Sequence, residues 1–199
     1  SIASTLLHLG ERELAAGPAA RAEAAAAALA AGDITSDPAV PSDRAPPPPD
    51  PAVRLAILRM RAVQAMLDGD VAAAHRRFAE LAATQEAAGN LRRACQHRVS
   101  EAMMLIELGD HEEAIEVLRA ALSQAERLGI TSLEAMAKGH LGLALALNGD
   151  SAAARILTEE AVVYFFVRGD RRLEAGYRTN LARILRVTGD LHGAVIESR

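Results

Sequence analysis

Residues 109–130 read GDHEEAIEVLRAALSQAERLGI, and the fold can be predicted from the pattern in this segment. A glycine after a helix takes the left-handed conformation that ends it, and an aspartate beside that glycine can cap the next helix. Between the two glycines the apolar residues recur at the three- and four-residue spacing of one helix face. They are Ala114, Ile115, Leu118, Ala121, Leu122, Ala125 and Leu128. The stretch therefore predicts one amphipathic helix between two tight turns.

The same glycine recurs at a constant interval along the chain, at Gly69, Gly89, Gly109, Gly129, Gly149, Gly169 and Gly189. Two sets alternate: aspartate follows Gly69, Gly109, Gly149 and Gly189, while Asn90, Ile130 and Asp170 follow the other three, and each set has a period of twice that interval. Each repeat holds two helical segments joined by a tight turn, and such units stack on one another. The pattern predicts an all-α fold, an α-α superhelix (solenoid) of stacked antiparallel helical hairpins.

Composition excludes several other classes of protein. Only 3% of the 199 residues are aromatic and β-branched residues are few, which argues against a β-sandwich or barrel. The net charge of −4 argues against a nucleic-acid partner, which would favour a basic surface. The apolar runs are too short to span a membrane. A single cysteine, Cys95, excludes an internal disulfide and fits a reducing, cytoplasmic compartment.

The glycine repeat and the small residues within it resemble the tetratricopeptide repeat (TPR) family. That family places a small residue midway along the first helix of a unit, and here the position holds Ala62, Ala102, Gly142 and Ala182. An alanine marks the second helix at Ala74, Ala114, Ala154 and Ala194. The repeat, which runs for example from Gly69 to Gly109, is longer than the family's usual one. In this respect the chain resembles the arrays in regulatory regions of bacterial signalling proteins, such as Ser/Thr kinases and ATP-dependent transcription regulators.

The repeat predicts a TPR-like array over 51–199, with units 51–90, 91–130 and 131–170 and a partial unit 171–199. Residues 1–32 are predicted to form an N-terminal helical hairpin. Residues 33–50 contain six of the eight prolines and are predicted to form a linker or loop, because proline cannot continue a helix.

No segment matches a catalytic, cofactor-binding or metal-binding motif. The chain lacks a phosphate loop and a nucleophile elbow, and its six histidines form no ligand pair. An enzyme would need a convergent set of titratable groups, and none is visible. We therefore expect no catalysis, no cofactor and no metal.

The resemblance implies that the first helix of each unit lines a concave groove in which a protein or peptide partner binds. Carried over by position, the partner-groove candidates are Arg59, Val63, Met66, Gln96, Val99, Met103, Ile106, Met136, Gly139, His140, Leu143, Thr179, Asn180, Arg183 and Arg186. For His140, contact with a ligand and simple packing are both open. Asn180 matches a groove asparagine of the family, but the accompanying lysine positions are not filled.

Charge is banded along the array, with 8 basic and 4 acidic residues in 51–98, 4 and 11 in 99–167, and 7 and 4 in 168–199. Arg178, Arg183 and Arg186 could meet an acidic partner segment or form an ordinary salt-bridged surface. The short last helix leaves an uncapped end, where a homodimer could form. Likewise Tyr164–Phe166 could be core or an interaction patch.

Two functions follow from these features. The first is a non-catalytic interaction or scaffold module that binds a peptide or partner helix in its groove. The second is a sensor solenoid that binds a small effector and controls an attached kinase or transcription-regulator domain. A closed apolar pocket near His140 and Met136 would favour the second function.

Overall fold

The computed structural model describes residues 50–198, apart from the side chain of Ala152, and this part of the chain is entirely helical. Its helices are α1 Pro51–Leu67, α2 Val71–Ala87, α3 Leu91–Leu108, α4 His111–Leu128, α5 Thr131–Leu147, α6 Ser151–Val167, α7 Arg171–Val187 and α8 Leu191–Glu197. The chain is an all-α solenoid, as the glycine spacing predicts. The hairpin expected over 1–32 and the linker expected over 33–50 lie outside the described residues, except for Asp50 at the start of α1.

The seven periodic glycines end the helices as predicted. All seven have positive φ values, between 63° and 95°, and no other described residue does. At Gly109, for example, the glycine N–H donates to the Ile106 carbonyl and the Asp110 N–H to the Leu105 carbonyl, which satisfies the last turn of α3. Each glycine thus reverses the chain within a few residues.

The predicted capping by the residue after each glycine is only partly correct. Asp70, Asp170 and Asp190 accept a hydrogen bond from a first-turn N–H through their carboxylates. Asp110 and Asp150 make no such side-chain bond. Their turns are exposed, so water can satisfy the first-turn N–H groups in place of the carboxylate.

Consecutive helices pack together along the whole array, and the short turns make each pair antiparallel. Helices α3 and α5 also contact each other, as do α5 and α7. The first helices of the units therefore form an inner layer. The main core cluster joins Ala102, Leu105, Leu118, Leu143 and Ile184, so it runs from α3 to α7.

Small residues occupy the helix crossings. Ala62, Ala102 and Ala154 are fully buried. A Cβ added at Gly142 in α5 would clash with the Ala154 carbonyl oxygen and the Thr158 hydroxyl of α6. In the first three units the small-residue positions that indicated the TPR family are thus tightly packed, whereas Ala182 and Ala194 of the partial unit are half-buried.

Candidate functional site

A cavity of about 450 Å³ opens along the inner layer of helices. It is lined by residues of α1, α3, α5 and α7, together with one residue of α2. Thirteen of the groove candidates border it, namely Arg59, Val63, Met66, Gln96, Val99, Met103, Ile106, Met136, His140, Leu143, Thr179, Asn180 and Arg183. The cavity lies within the size range of small-ligand sites in proteins, which is roughly 300–1,000 Å³.

Two groove candidates lie elsewhere. Arg186 is exposed and is not among the lining residues. Gly139 is buried beneath the ring of Tyr177, where an added Cβ would clash with that ring. In α5 and in α7, one residue each that the repeat spacing predicts therefore does not line the cavity.

The apolar wall of the cavity is rich in methionine. Met66, Met103 and Met136 come from three successive inner helices, and Phe78 adds a ring from α2. Methionine is unbranched and flexible, so such a wall can adapt to apolar groups of different shape. The wall favours ligands with an apolar portion.

A stack of rings borders the cavity through His140 and Tyr177. Tyr177 of α7 packs edge-on against His140, with centroids 5.2 Å apart. Its other face lies parallel to Phe165 of α6 at 5.3 Å. The Tyr177 hydroxyl donates to the Met136 carbonyl at 3.4 Å. His140 therefore both packs and borders the cavity, and the stack positions its ring from two helices.

Of the neighbouring aromatics in α6, only Phe165 is buried, in the cluster with Tyr177. Phe166 is half exposed and carries the Arg171 guanidinium over its ring. The three-residue aromatic run thus divides between the core and the outer surface.

Two buried histidines border the cavity in their neutral form. Burial lowers the pKa of His140 to about 4, and the positive charge of Arg183 contributes to this lowering. Burial likewise lowers the pKa of His97 to about 4, with Arg59 and Arg93 as the nearby charges. A neutral imidazole offers one N–H donor and one nitrogen acceptor. The cavity thus presents arginine charge and imidazole hydrogen-bonding groups beside the methionine wall.

One edge of the cavity is bridged by an ion pair. The Arg183 Nη1 atom of α7 donates to the Glu107 Oε1 atom of α3 at 3.3 Å. The two helices belong to units that are not adjacent, and α5 lies between them. The pair therefore links α3 to α7 at the border of the cavity.

The repeat pattern missed several lining residues. Phe78 comes from a second helix, and Glu107 lies beyond the expected face of α3. His97 and Tyr177 could have been found, since both rings occupy the same position of the repeat, two units apart. Arg178, expected in a partner contact or a salt-bridged surface, pairs with Glu174 and Glu197.

Within residues 50–198, no group of three His, Cys, Asp or Glu side chains is placed to hold a metal ion. Over the same range no helix combines the length and apolarity needed to cross a bilayer. The lone thiol, Cys95, is buried, and its Sγ donates to the Ala121 carbonyl at 3.3 Å. What the cavity offers chemically is apolar contact, hydrogen-bond donors and acceptors, and more positive than negative charge.

Comparison with known proteins identifies the fold. No protein-family model matches the chain, and no curated protein matches it. Two solved structures are similar, both of nearly identical TPR-like repeats from a candidate kinesin light chain of Podosopora anserina. The first, a form with one substitution, has a TM-score of 0.56 at 19% identity, covering 90% of this chain and 84% of that one. The second has a TM-score of 0.53 at 18% identity, with 90% and 85% covered. At these identities the likeness establishes a TPR-like repeat fold.

Proposed function

We propose that the chain is a non-catalytic interaction module whose inner-layer cavity binds a short segment of a partner protein, either a peptide or one face of a helix. TPR-like repeats generally mediate protein–protein interaction and are typically non-catalytic. The observation that carries the proposal is the cavity itself, which joins a methionine wall to arginine and histidine side chains within one concave surface. A partner segment with an apolar side chain beside a polar or acidic group would match both the methionine wall and the arginine and histidine side chains.

The rigidity of the array supports this function. The inner helices are held by the core cluster beneath them, which runs from α3 to α7. A preformed site loses little conformational entropy when its ligand binds. A short partner segment can therefore gain affinity from few contacts.

Selection from a phage-displayed library of random peptides tests the proposal. Met103 in α3 lines the cavity and is partly exposed, so Met103→Lys should place a charge on the apolar wall. We expect the dissociation constants of selected peptides to rise at least about tenfold. Leu108→Lys is the matched control, because Leu108 is an exposed apolar residue of the same helix outside the cavity. Peptides that respond to Leu108→Lys and ignore Met103→Lys would contradict the proposal.

A second candidate function is a sensor that binds a small effector and controls an attached kinase or transcription-regulator domain. Its support is the Arg183–Glu107 bridge, which partly encloses the cavity beside His140. Anilinonaphthalene sulfonate, an apolar anion, is a suitable probe. Saturable fluorescence at one equivalent that Met103→Lys abolishes and Leu108→Lys retains would favour this function. Absence of saturable binding to the native chain would remove it.

We also propose a cytoplasmic location and a partner segment that carries acidic groups. The only cysteine is a buried free thiol, which suits a reducing compartment. Arg59, Arg93 and Arg183 border the cavity, whereas Glu107 is the one carboxylate among its lining residues within the described part of the chain. Neutralising Arg93 by Arg93→Gln should weaken binding of acidic peptides more than of neutral ones in the same peptide assay.

A further inference from the structure

The outer face of α6 carries an exposed apolar stripe, defined by Ile156, Val163, Phe166 and Val167. Their exposed fractions are 59%, 58%, 52% and 76%. Ile156, Val163 and Val167 follow one another at helical intervals of two turns and one turn, so they lie along one side of the helix. Phe166 widens the stripe by one position. Large apolar residues grouped in this way on a surface indicate an interaction site.

The internal repeat shows that the stripe is particular to this unit. One unit earlier, α4 places Glu116, Ser123, Glu126 and Arg127 at the same positions. In the unit before that, α2 places Arg76, Ala83, Glu86 and Ala87 there. Charged or small residues therefore occupy this face in the first two units, and the fold does not require apolar side chains on it.

Nor does the short helix α8 explain the exposure. The equivalent positions in α2 and α4 are also exposed, although a full hairpin packs beside each of those helices. A longer helix in the place of α8 would leave Val163 and Val167 uncovered in the same way. The stripe is thus an outer surface of the solenoid, separate from the inner-layer cavity.

Charged side chains border the apolar stripe, and their sign depends on their position along α6. Glu159 and Glu160 lie near its middle, ahead of Val163, and pair with Arg155 and Lys138 at 2.7 Å. Arg168 and Arg171 follow its C-terminal end, with their guanidinium groups over the rings of Tyr164 and Phe166. From Glu159 and Glu160 to Arg168 and Arg171 the charge along this face changes from acidic to basic, and Arg155, at the N-terminal end, pairs with Glu159. An antiparallel copy of the same face would complement it in charge, whereas a parallel copy would oppose like charges.

We propose that this face is a homodimer interface in which the α6 stripes of two copies pack antiparallel about a two-fold axis. Glu159 and Glu160 of one copy then face Arg168 and Arg171 of the other, while the apolar stripe is buried between them. A two-fold interface needs a self-complementary surface, and this order of charges provides one. The interface is independent of the inner-layer cavity, so peptide binding there is unaffected by its loss.

Sedimentation equilibrium on the full 199-residue chain tests the proposal. One helix pair is a small interface and favours weak association, so the loading concentrations should extend to about 0.5 mM. We expect a reversible monomer–dimer equilibrium in which Val163→Glu raises the dissociation constant at least about tenfold. The matched control is Ala83→Glu, at the same exposed repeat position of α2, which should leave it unchanged. A chain that is monomeric at every concentration overturns the proposal.

Charge exchange tests the antiparallel geometry. The double variant Glu159→Lys with Glu160→Lys, and the double variant Arg168→Glu with Arg171→Glu, should each lose self-association. An equimolar mixture of the two should form a heterodimer, because each face then meets its opposite charge. Circular dichroism checks that both remain helical. Failure of the mixture to associate overturns the geometry, as does a dimer that survives Val163→Glu and is lost in Leu191→Glu, at the exposed start of α8.

Discussion

Arg183 and Glu107 join two helices that are separated by a whole repeat unit. Their side chains meet at 3.3 Å although they lie 76 positions apart in the chain. The contact exists because the inner helices curve around α5, which lets α7 approach α3 across the cavity. The Arg183–Glu107 contact is therefore a consequence of the curvature of the array. The same curvature partly encloses the inner face and so forms the cavity.

The Arg183–Glu107 pair should contribute little to stability despite its long reach. Both side chains are about one-third exposed, at 34% and 29%, so water screens their attraction. A double-mutant cycle of Arg183→Gln and Glu107→Gln, measured by urea unfolding, should give a coupling free energy below about 1 kcal/mol. A coupling above about 2 kcal/mol would mean that the pair supports the curvature.

Gly142→Ala should destabilise the protein although alanine favours helices. The new methyl group would meet the Ala154 carbonyl and the Thr158 hydroxyl, so α5 and α6 must move apart. We expect a loss of about 1–3 kcal/mol in the free energy of unfolding. Gly176→Ala is the control, since an added Cβ at Gly176 meets nothing within 4 Å, and it should stabilise α7 by about 0.5–1 kcal/mol. Equal effects of the two substitutions would contradict the packing argument.

Aspartates at equivalent turns should differ in their contribution to stability. The Asp170 carboxylate accepts a hydrogen bond from the Leu173 N–H at 3.1 Å, whereas Asp150 makes no side-chain capping bond. Asp170→Ala should therefore cost about 1 kcal/mol in thermal or urea unfolding, and Asp150→Ala clearly less. A larger loss of stability for Asp150→Ala than for Asp170→Ala would show that Asp150, and not Asp170, caps its helix in solution.

Protein stability should fall as the pH drops from about 6.5 towards 4, in part because of His140. The folded protein holds this imidazole neutral with a pKa of about 4, while the unfolded chain takes up the proton near its ordinary pKa of 6.5. The unfolded state then binds more protons, so acidification favours unfolding, by at most about 3 kcal/mol for this group.

His140→Phe isolates the effect of this histidine. The variant keeps a ring against Tyr177 and removes the titration, so its free energy of unfolding should depend less on pH over that window. Urea unfolding of both proteins at several pH values gives the comparison. Parallel curves for the two proteins would show that His140 does not titrate as its burial implies.

Much of the candidate site could be anticipated from the repeat alone. Residues such as Met103 and Leu143 occupy the same position of successive first helices, and that position faces inward in both. Arg93 shares its repeat position with Leu173, which also lines the cavity, but Phe78 and Glu107 could not be found in this way. Whether they border the cavity depends on how far the helices curve and how long each side chain reaches, and neither quantity follows from the spacing of the glycines.

The helices of the array, their ends and their stacking order follow from the amino-acid pattern alone. These are local matters, because Gly109 must reverse the chain wherever it follows a helix and Gly142 must lie where two backbones meet. The packing of Tyr177 between His140 and Phe165, and the contact of Arg183 with Glu107, become apparent only in the folded chain. Small rotations between successive hairpins accumulate along a solenoid, so contacts between distant units depend on the packing of the whole array.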